Sequence, residues 1–477
     1  MTMYNVQLRK NEGDGLAEHN LKASIEIPNQ VNELLNRLHA YSYRAYIVGR
    51  CVRELIGGTS TVDFDIITDA EVGRIRAIFD IYNVNIDNLT KGEVVVTVQG
   101  MPVLIAPYRK GFTEKGAPIY TDSIIEDLKR RDFSFNAIAY NPREGFVDPF
   151  GGVDCLLGEQ AVVDVIKIAD DDEKNKDEPA TFERNPVSIL QALGYYSSGD
   201  YVISPATQEA IFMYKDYLND AAPADLRTEL SWVLHGRNAS TVLEEYAEVF
   251  IALIPEFAAL ADFSLKRPEY SCDALTHTFR SVGYASPVLT LRYAMLLHSL
   301  GKPDCFSEDA SGKGHFHGHA ERSFLYAQKI MRRMGFSEDE TREVGFLIKN
   351  QSVEITNERR SLKLRLREMP PERLKSILQF RYADLKARSP DFEGAAMACK
   401  KQIDAVNEII ALKECYTLHQ LAVNRYDLIQ GGLVRNDEHA NTVLERLLDM
   451  VIETPAFNTR QRLLGAAEKI MRDIIVK

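Results

Sequence analysis

Two aspartates, Asp63 and Asp65, stand two residues apart in the segment IVGRCVRELIGGTSTVDFDIITD, the strongest chemical feature of the chain. On a strand that spacing turns both carboxylates to one side. Same-side carboxylates can share divalent ions, and such ions bridge phosphates and activate a hydroxyl for phosphoryl transfer. Gly49 ends a short apolar run just before a helix-forming segment, where backbone amides can approach a phosphate. Arg53 lies one turn further on and can neutralise phosphate charge. An isolated DxD is as often a solvated strand edge, so its surroundings decide the reading.

Those surroundings read as a small α/β domain. Ile27, Val31, Leu34, Leu35 and Leu38 repeat with helical period over residues 26–42. RAYIVG reads as a strand, CVRELI as a short helix, DFDII as a second strand and AEVGRIRAIFDIY as a helix. VNIDN, GEVVVTVQG and MPVLIAPYR supply further strand signals, two of them joined by a glycine turn. A charged helix start, IIEDLKRRD, precedes the apolar FSFNAIAY, and FVDPFGG closes a strand in a turn. After residue 155 the character changes. IADDDEKNKDEPA reads as an acidic solvated loop, and helical periodicity then dominates to the C-terminus.

The order strand, glycine, arginine-bearing helix, DFDI resembles the catalytic motif of polymerase-beta-like nucleotidyltransferases. More narrowly it is similar to that of class II CCA-adding enzymes and bacterial poly(A) polymerases, roughly GGxVRD, a loop, then DxD. Gly49, Arg53, Asp63 and Asp65 match, while Arg50 replaces the second glycine and Glu54 the aspartate. Arg50 either adds to phosphate neutralisation or crowds a backbone position that wants no side chain. A second match is EDLKRRDFSFNAIAYNP followed by FVDPFGG. The resemblance implies that Arg130, Arg131, Asp132 and Asn136 contact the triphosphate and ribose, with Asp127 just upstream. Arg109 matches an arginine that closes a strand in the family; the carboxylate found earlier on that strand is missing, and Glu93 is a nearby alternative.

The family reads the base with a motif resembling EDPxRxLRAxRF, and the chain has ERNPVSILQALGYY. Asn185 sits where the family has aspartate and Ser188 where it has the base-reading arginine; Gln191 and Gly194 replace two more arginines. Asparagine both donates and accepts, whereas serine is too short to replace a guanidinium fork. ADLRTEL keeps Glu229 and Leu230 of a further family element. Five of ten histidines lie between His277 and His319. His277, His298, His315 and His319 form a possible second metal site, and the region resembles an HD-type metal-dependent phosphohydrolase in which Ser299 replaces the defining aspartate. Residues 358–390 hold ten basic and four acidic side chains. Arg359, Arg360, Lys363, Arg365 and Arg367 there form either a phosphate-backbone surface or a solvated face balanced by acids.

The chain has 477 residues, 45 % hydrophobic and 26 % charged, and a formal charge of −12. That length needs more than one core, and the acidity leaves room for a local basic surface that binds RNA. Six scattered cysteines without a CxxC pair suggest neither a zinc knuckle nor a disulfide framework. No apolar run is long enough to cross a membrane, and a cytoplasmic location is expected. The expected architecture is α+β, a polymerase-beta-like head followed by a long, mostly helical body. Its parts are a polar tail 1–24, a head 25–152, a helical neck 153–255, an HD-like region 256–355 and a tail 356–477. The resemblance implies transfer of nucleotides from CTP and ATP to the 3′ end of tRNA, with two Mg2+ ions in the head. A tRNA-binding paralog of weak activity and a poly(A) polymerase-like enzyme stand as alternatives. Monomer and homodimer stay equally open.

Overall fold

The computed structural model describes residues 25–88, 92–113, 115–166, 180–434 and 436–475. The tail 1–24 and nearly all of the acidic loop starting at Ile168 lie outside them. The chain forms two compact units, Met1–Asn238 with Tyr246–Leu253, and Ala239–Glu245 with Ile254–Lys477.

The first unit opens with helix α1, Asn29–Ala40, which buries Val31, Leu34, Leu35 and Leu38. That three- and four-residue spacing makes one apolar stripe. Strands β1 (Ala45–Val48), β2 (Phe64–Thr68), β3 (Asn83–Asn88), β4 (Glu93–Val98) and β5 (Met101–Pro107) enter a seven-stranded sheet in the order β3-β4-β5-β2-β1. The hairpin Ala139–Asn141 and Gly145–Val147 completes it beside β1. β2 and β5 run parallel, while β4 and β5 form an antiparallel hairpin whose turn residues Gln99 and Gly100 both have positive φ.

Strand alternation separates two cores. Ile47, Phe64, Ile66, Val94, Val96, Val103 and Ile105 pack with α1, α2 (Arg50–Ile56) and α3 (Val72–Ile78). Tyr46, Val48 and Ile67 join a smaller cluster with Tyr108, Leu128 and Ala137 on the other face. Asp65 alternates with Phe64 and Ile66, so it belongs to the second face. In the neck, helix Val187–Ser198 packs on helix Pro223–His235, and strands Ala161–Val163 and Tyr201–Ile203 pair in parallel.

The second unit is helical apart from a small hairpin, Phe306–Glu308 with Gly314–Phe316, among the described residues. The helical periodicity expected here appears as helices that include Leu289–Leu297, His319–Arg333, Pro371–Lys386, Glu393–Ala411 and Asp437–Glu453. The architecture is therefore an α+β head followed by a long, mostly helical body. No helix among the described residues is long and apolar enough to cross a membrane. All six cysteines are free thiols.

Candidate active site

The strand–glycine–helix turn sets the site's first wall. Gly49 has φ +79°, a conformation L side chains rarely adopt, and a Cβ there would stand 3.2 Å from Arg131 Nη1. Arg50, the first residue of α2, is exposed and its Nε donates to Glu54 Oε1 at 2.5 Å. The two departures from the family's glycine motif are thus one ion pair, one helical turn apart. Arg50 does not crowd the backbone, because its side chain leaves along the helix.

β2 starts at Phe64, so Asp63 stands just before the ladder and Asp65 inside it, opposite Leu104 of β5. Both aspartates are exposed, and neither carboxylate has a hydrogen bond or ion pair among the described residues. Desolvation holds the Asp65 carboxyl above its usual range; Arg131 opposes this, and Glu93 and Asp63 reinforce it. Val95 and Asp65 both face Leu104 in the register, which puts Glu93 on the same side of the sheet as Asp65.

A buried carboxylate organises the arginines. Asp127 accepts from Arg131 Nη2 at 3.3 Å, Arg130 Nη2 at 3.5 Å and the Arg109 amide at 2.9 Å. Arg131 Nε is buried without a hydrogen-bond partner among the described residues. Arg109 itself is 7 % exposed, and its Nη1 donates to Glu93 Oε1 at 3.0 Å. It therefore ties the β4 carboxylate to the core. Arg53 donates to Asn136 Oδ1, and Asn136 Nδ2 donates to Asp132 Oδ1 at 2.8 Å. The Arg53 guanidinium lies 5.4 Å from the Phe135 ring and 5.2 Å from the Tyr195 ring, a cation–π contact worth about 0.5–2 kcal/mol.

A cavity of about 560 Å³ collects these groups. Gly49, Arg50, Arg53, Asp65, Arg130, Arg131, Asp132 and Asn136 meet Asn185 and Ser188 there. Asp63 and Arg109 do not line it. Sequence reasoning missed Thr181, Arg184, Tyr195 and Trp232 on the same walls. Arg184 Nη2 donates to the Arg130 carbonyl at 2.9 Å. The neck departures again occur as partners: Asn185 Nδ2 donates to Ser188 Oγ at 2.7 Å, and Gln191 Nε2 to Glu229 Oε1 at 3.1 Å. Desolvation holds the Glu229 carboxyl above its usual range, against the hydrogen bond from Gln191. Trp232 packs over Gly194 so closely that a Cβ at Gly194 would fall 2.4 Å from its ring.

The histidine-rich region gives a different arrangement from the one its spacing suggested. His277, His298 and Asp384 form a candidate metal-binding cluster, with ligand atoms all within 4.8 Å of one another. His315 and His319 are not part of it. His315 Nε2 contacts Asp309 at 2.8 Å, and His319 Nδ1 donates to the Phe316 carbonyl at 2.7 Å. Asp384 was not foreseen. Burial raises its carboxyl, but Arg388 and the hydrogen bond from His277 outweigh this and hold it well below the usual range. Burial pushes His277 down to about 4 and Lys302 down to about 8, so at neutral pH the imidazole is neutral and the ammonium mostly charged.

The basic residues expected at a phosphate surface are all engaged internally. Arg359 pairs with Glu408 and Glu414, Arg360 with Glu453, Arg365 with Glu368, and Arg367 with Glu445 and Asp449. Lys363 is corrected outright: it is 1 % exposed and bonded to Glu414 at 2.7 Å, so no external phosphate can reach it.

Residues 45–161, which carry the glycine turn, the paired aspartates and the arginine cluster, match the poly A polymerase head domain family. The sequence and fold match the superfamily that contains bacterial CCA-adding enzymes and poly(A) polymerases. Among curated relatives, a CCA-adding enzyme of Anoxybacillus flavithermus is 27 % identical over 51 % of this chain and 59 % of its own length. One from Geobacillus stearothermophilus is 28 % identical over 47 % of this chain and 54 % of its own. The chain thus spans little more than half the length of these relatives. The fold resembles the Bacillus stearothermophilus CCA-adding enzyme in complex with CTP, with TM-score 0.62, 20 % identity, and coverage of 93 % of this chain and 97 % of that one. It also resembles the Thermotoga maritima CCA-adding enzyme complexed with tRNA_CCA, with TM-score 0.56, 17 % identity, and coverage of 93 % and 96 %.

Proposed function

We propose that the chain transfers nucleotides from CTP and ATP to the 3′ hydroxyl of tRNA. The observation that carries this reading is the single cavity joining Asp65, the Gly49 turn and the arginine cluster to the polar neck wall. Asp63 and Asp65 fit a pair of Mg2+ ions, since they offer hard carboxylate oxygens that make no hydrogen bond or ion pair among the described residues. Bound there, the ions would offset charge on the reacting phosphate and lower the pKa of the attacking hydroxyl.

The chain's own residues would do the positioning. Arg131, anchored on Asp127 with an idle Nε, faces the Gly49 turn and suits the triphosphate. The Arg53–Asn136–Asp132 chain holds a polar edge for the ribose. On the neck wall, Asn185 and Gln191 direct their NH2 groups to Ser188 and Glu229. Their amide oxygens and the second Glu229 oxygen have no partner among the described residues. Such a wall of acceptors favours bases with an amino group at C4 of a pyrimidine or C6 of a purine. Cytosine N4 and adenine N6 donate, whereas guanine O6 and the O4 of a thymine-type ring accept.

The acceptors do not distinguish cytosine from adenine, which keeps an adenylate-only, poly(A) polymerase-like activity as the second reading. The test incubates the full chain with Mg2+, each labelled nucleotide and tRNA lacking its 3′ CCA. Ordered addition of C, C and A supports the proposal. Addition of A alone supports the second reading, and no addition with retained tRNA binding leaves a binding paralog.

A further inference from the structure

A two-stranded hairpin, Arg109–Phe112 with Pro118–Tyr120, follows β5 directly. Arg109 pairs with Tyr120 and Phe112 with Pro118, and the register shifts between Arg109 and Gly111. Cross-strand partners share a face, and so do residues two apart on a strand. Pro118 and Tyr120 therefore bring Phe112 and Arg109 to one face, which regular alternation over three residues would forbid. The shift inserts the extra residue that makes this possible. The Arg109 guanidinium accordingly lies 5.6 Å from the Phe112 ring centroid.

That face turns toward β4. Arg109 Nη1 reaches Glu93 Oε1 at 3.0 Å, and a Cβ at Gly92 would fall 2.1 Å from the Tyr120 hydroxyl. Glu93 shares a side of the sheet with Asp65. The charges of Glu93 and Arg109 both act on the Asp65 carboxyl, in opposite senses. A line of neighbours thus runs from the Asp65 carboxylate through Glu93 and Arg109 to the Phe112 ring.

A hairpin that only sealed this edge would bury its rings. Phe112 is instead 44 % exposed and Tyr120 46 %. Lys110 and Lys115 are exposed as well, and neither has a hydrogen bond or ion pair among the described residues. Open rings beside unpaired cations are what holds a single nucleic-acid strand, since bases stack on the rings and phosphates meet the cations. Asp65 lines the nucleotide cavity, whereas Phe112 and Tyr120 do not. Transfer brings two substrates to the same carboxylates, and the cavity accounts for one of them.

We propose that this hairpin receives the other, the acceptor strand: the last base of the RNA 3′ end stacks on Phe112 and Tyr120, and Lys110 meets its phosphate. The inference rests on the transferase reading, but its test needs no transfer. Without any nucleotide, the full chain is titrated with tRNA lacking its 3′ CCA and with the same tRNA trimmed by one further nucleotide. The wild-type chain should lose about tenfold in affinity on trimming. Phe112→Leu with Tyr120→Leu should weaken binding of the longer RNA by a similar factor and erase the difference between the two, while Phe112→Tyr should keep it. Should the double variant fail to fold, the wild-type chain is photocrosslinked to tRNA carrying 4-thiouridine as its last nucleotide, with adducts expected on Phe112 or Tyr120. Both signals in a chain that transfers no nucleotide would defeat the transferase reading and leave the hairpin's role standing. A folded double variant that still tells the two RNAs apart, a wild-type chain that does not, or adducts found only outside residues 109–120 would overturn the proposal.

Discussion

The end of β2 and the helix Arg359–Glu368 carry the chain's two most conspicuous runs of charge, and they are built in opposite ways. Asp63 and Asp65 stand two residues apart without an ion pair among the described residues, while every basic residue expected at the helix is bonded to an acid of the second unit. The exposed pairs among them, such as Arg360 with Glu453, add about 0–1 kcal/mol each. Two carboxylates without an ion pair among the described residues repel one another, and the fold keeps that repulsion. Charge density therefore misleads where charges answer one another, and charges that lack a partner are the better pointer to a ligand.

The contrast predicts effects of different kind and size. Asp63→Asn with Asp65→Asn should lower nucleotide transfer by about a thousandfold, the equivalent of roughly 4 kcal/mol of lost charge stabilisation. A thermal melt should find the same variant as stable as the parent or slightly more so. The Asp65 carboxyl is raised in the fold, so its ionised form opposes folding above that pKa, and an amide removes the opposition. A melt lowered by several degrees would show that these aspartates serve the structure instead.

Gly49→Ala should raise the KM for nucleotide about tenfold and cost about 1–2 kcal/mol on chemical denaturation, because the new Cβ meets both the positive φ and Arg131. Glu229→Gln puts a donor into the acceptor wall, and competition between labelled UTP and CTP should move about tenfold toward UTP. The smallest effects belong to the basic helix. Arg359→Ala and Arg367→Ala should each change stability by no more than about 1 kcal/mol and leave tRNA affinity within a factor of about two. A large loss of tRNA binding in either would return that helix to the RNA surface.

Much of the head was legible because its determinants are local. The apolar spacing of α1, the glycine before α2 and the alternation in β4 each act over a few residues. What escaped was pairing. Arg50 with Glu54, one helical turn apart, and Asn185 with Ser188, three residues apart across a helix start, are local enough to have been seen. Gln191 with Glu229 and Gly194 with Trp232 meet only once two helices pack. The neck departures looked like losses in the linear sequence, whereas in the fold each has a partner of matching chemistry. Asp384 was hidden for a related reason: it stood within a stretch counted as basic, and only packing brings it to His277 and His298. The acids that answer Arg359 and Arg367 come from the helices Glu393–Ala411 and Asp437–Glu453 and the turn at Glu414, beyond any local charge count.

Trp232 offers the most direct test, since it is the chain's single tryptophan and lines the cavity beside the acceptor wall. Its fluorescence is followed in the full chain as CTP, ATP and UTP are added without tRNA. Saturable changes with CTP and ATP, and at least about tenfold weaker binding of UTP, are the predicted result. No change with any nucleotide, or an equal response to UTP, would contradict the account of this cavity as the site that binds and selects the nucleotide.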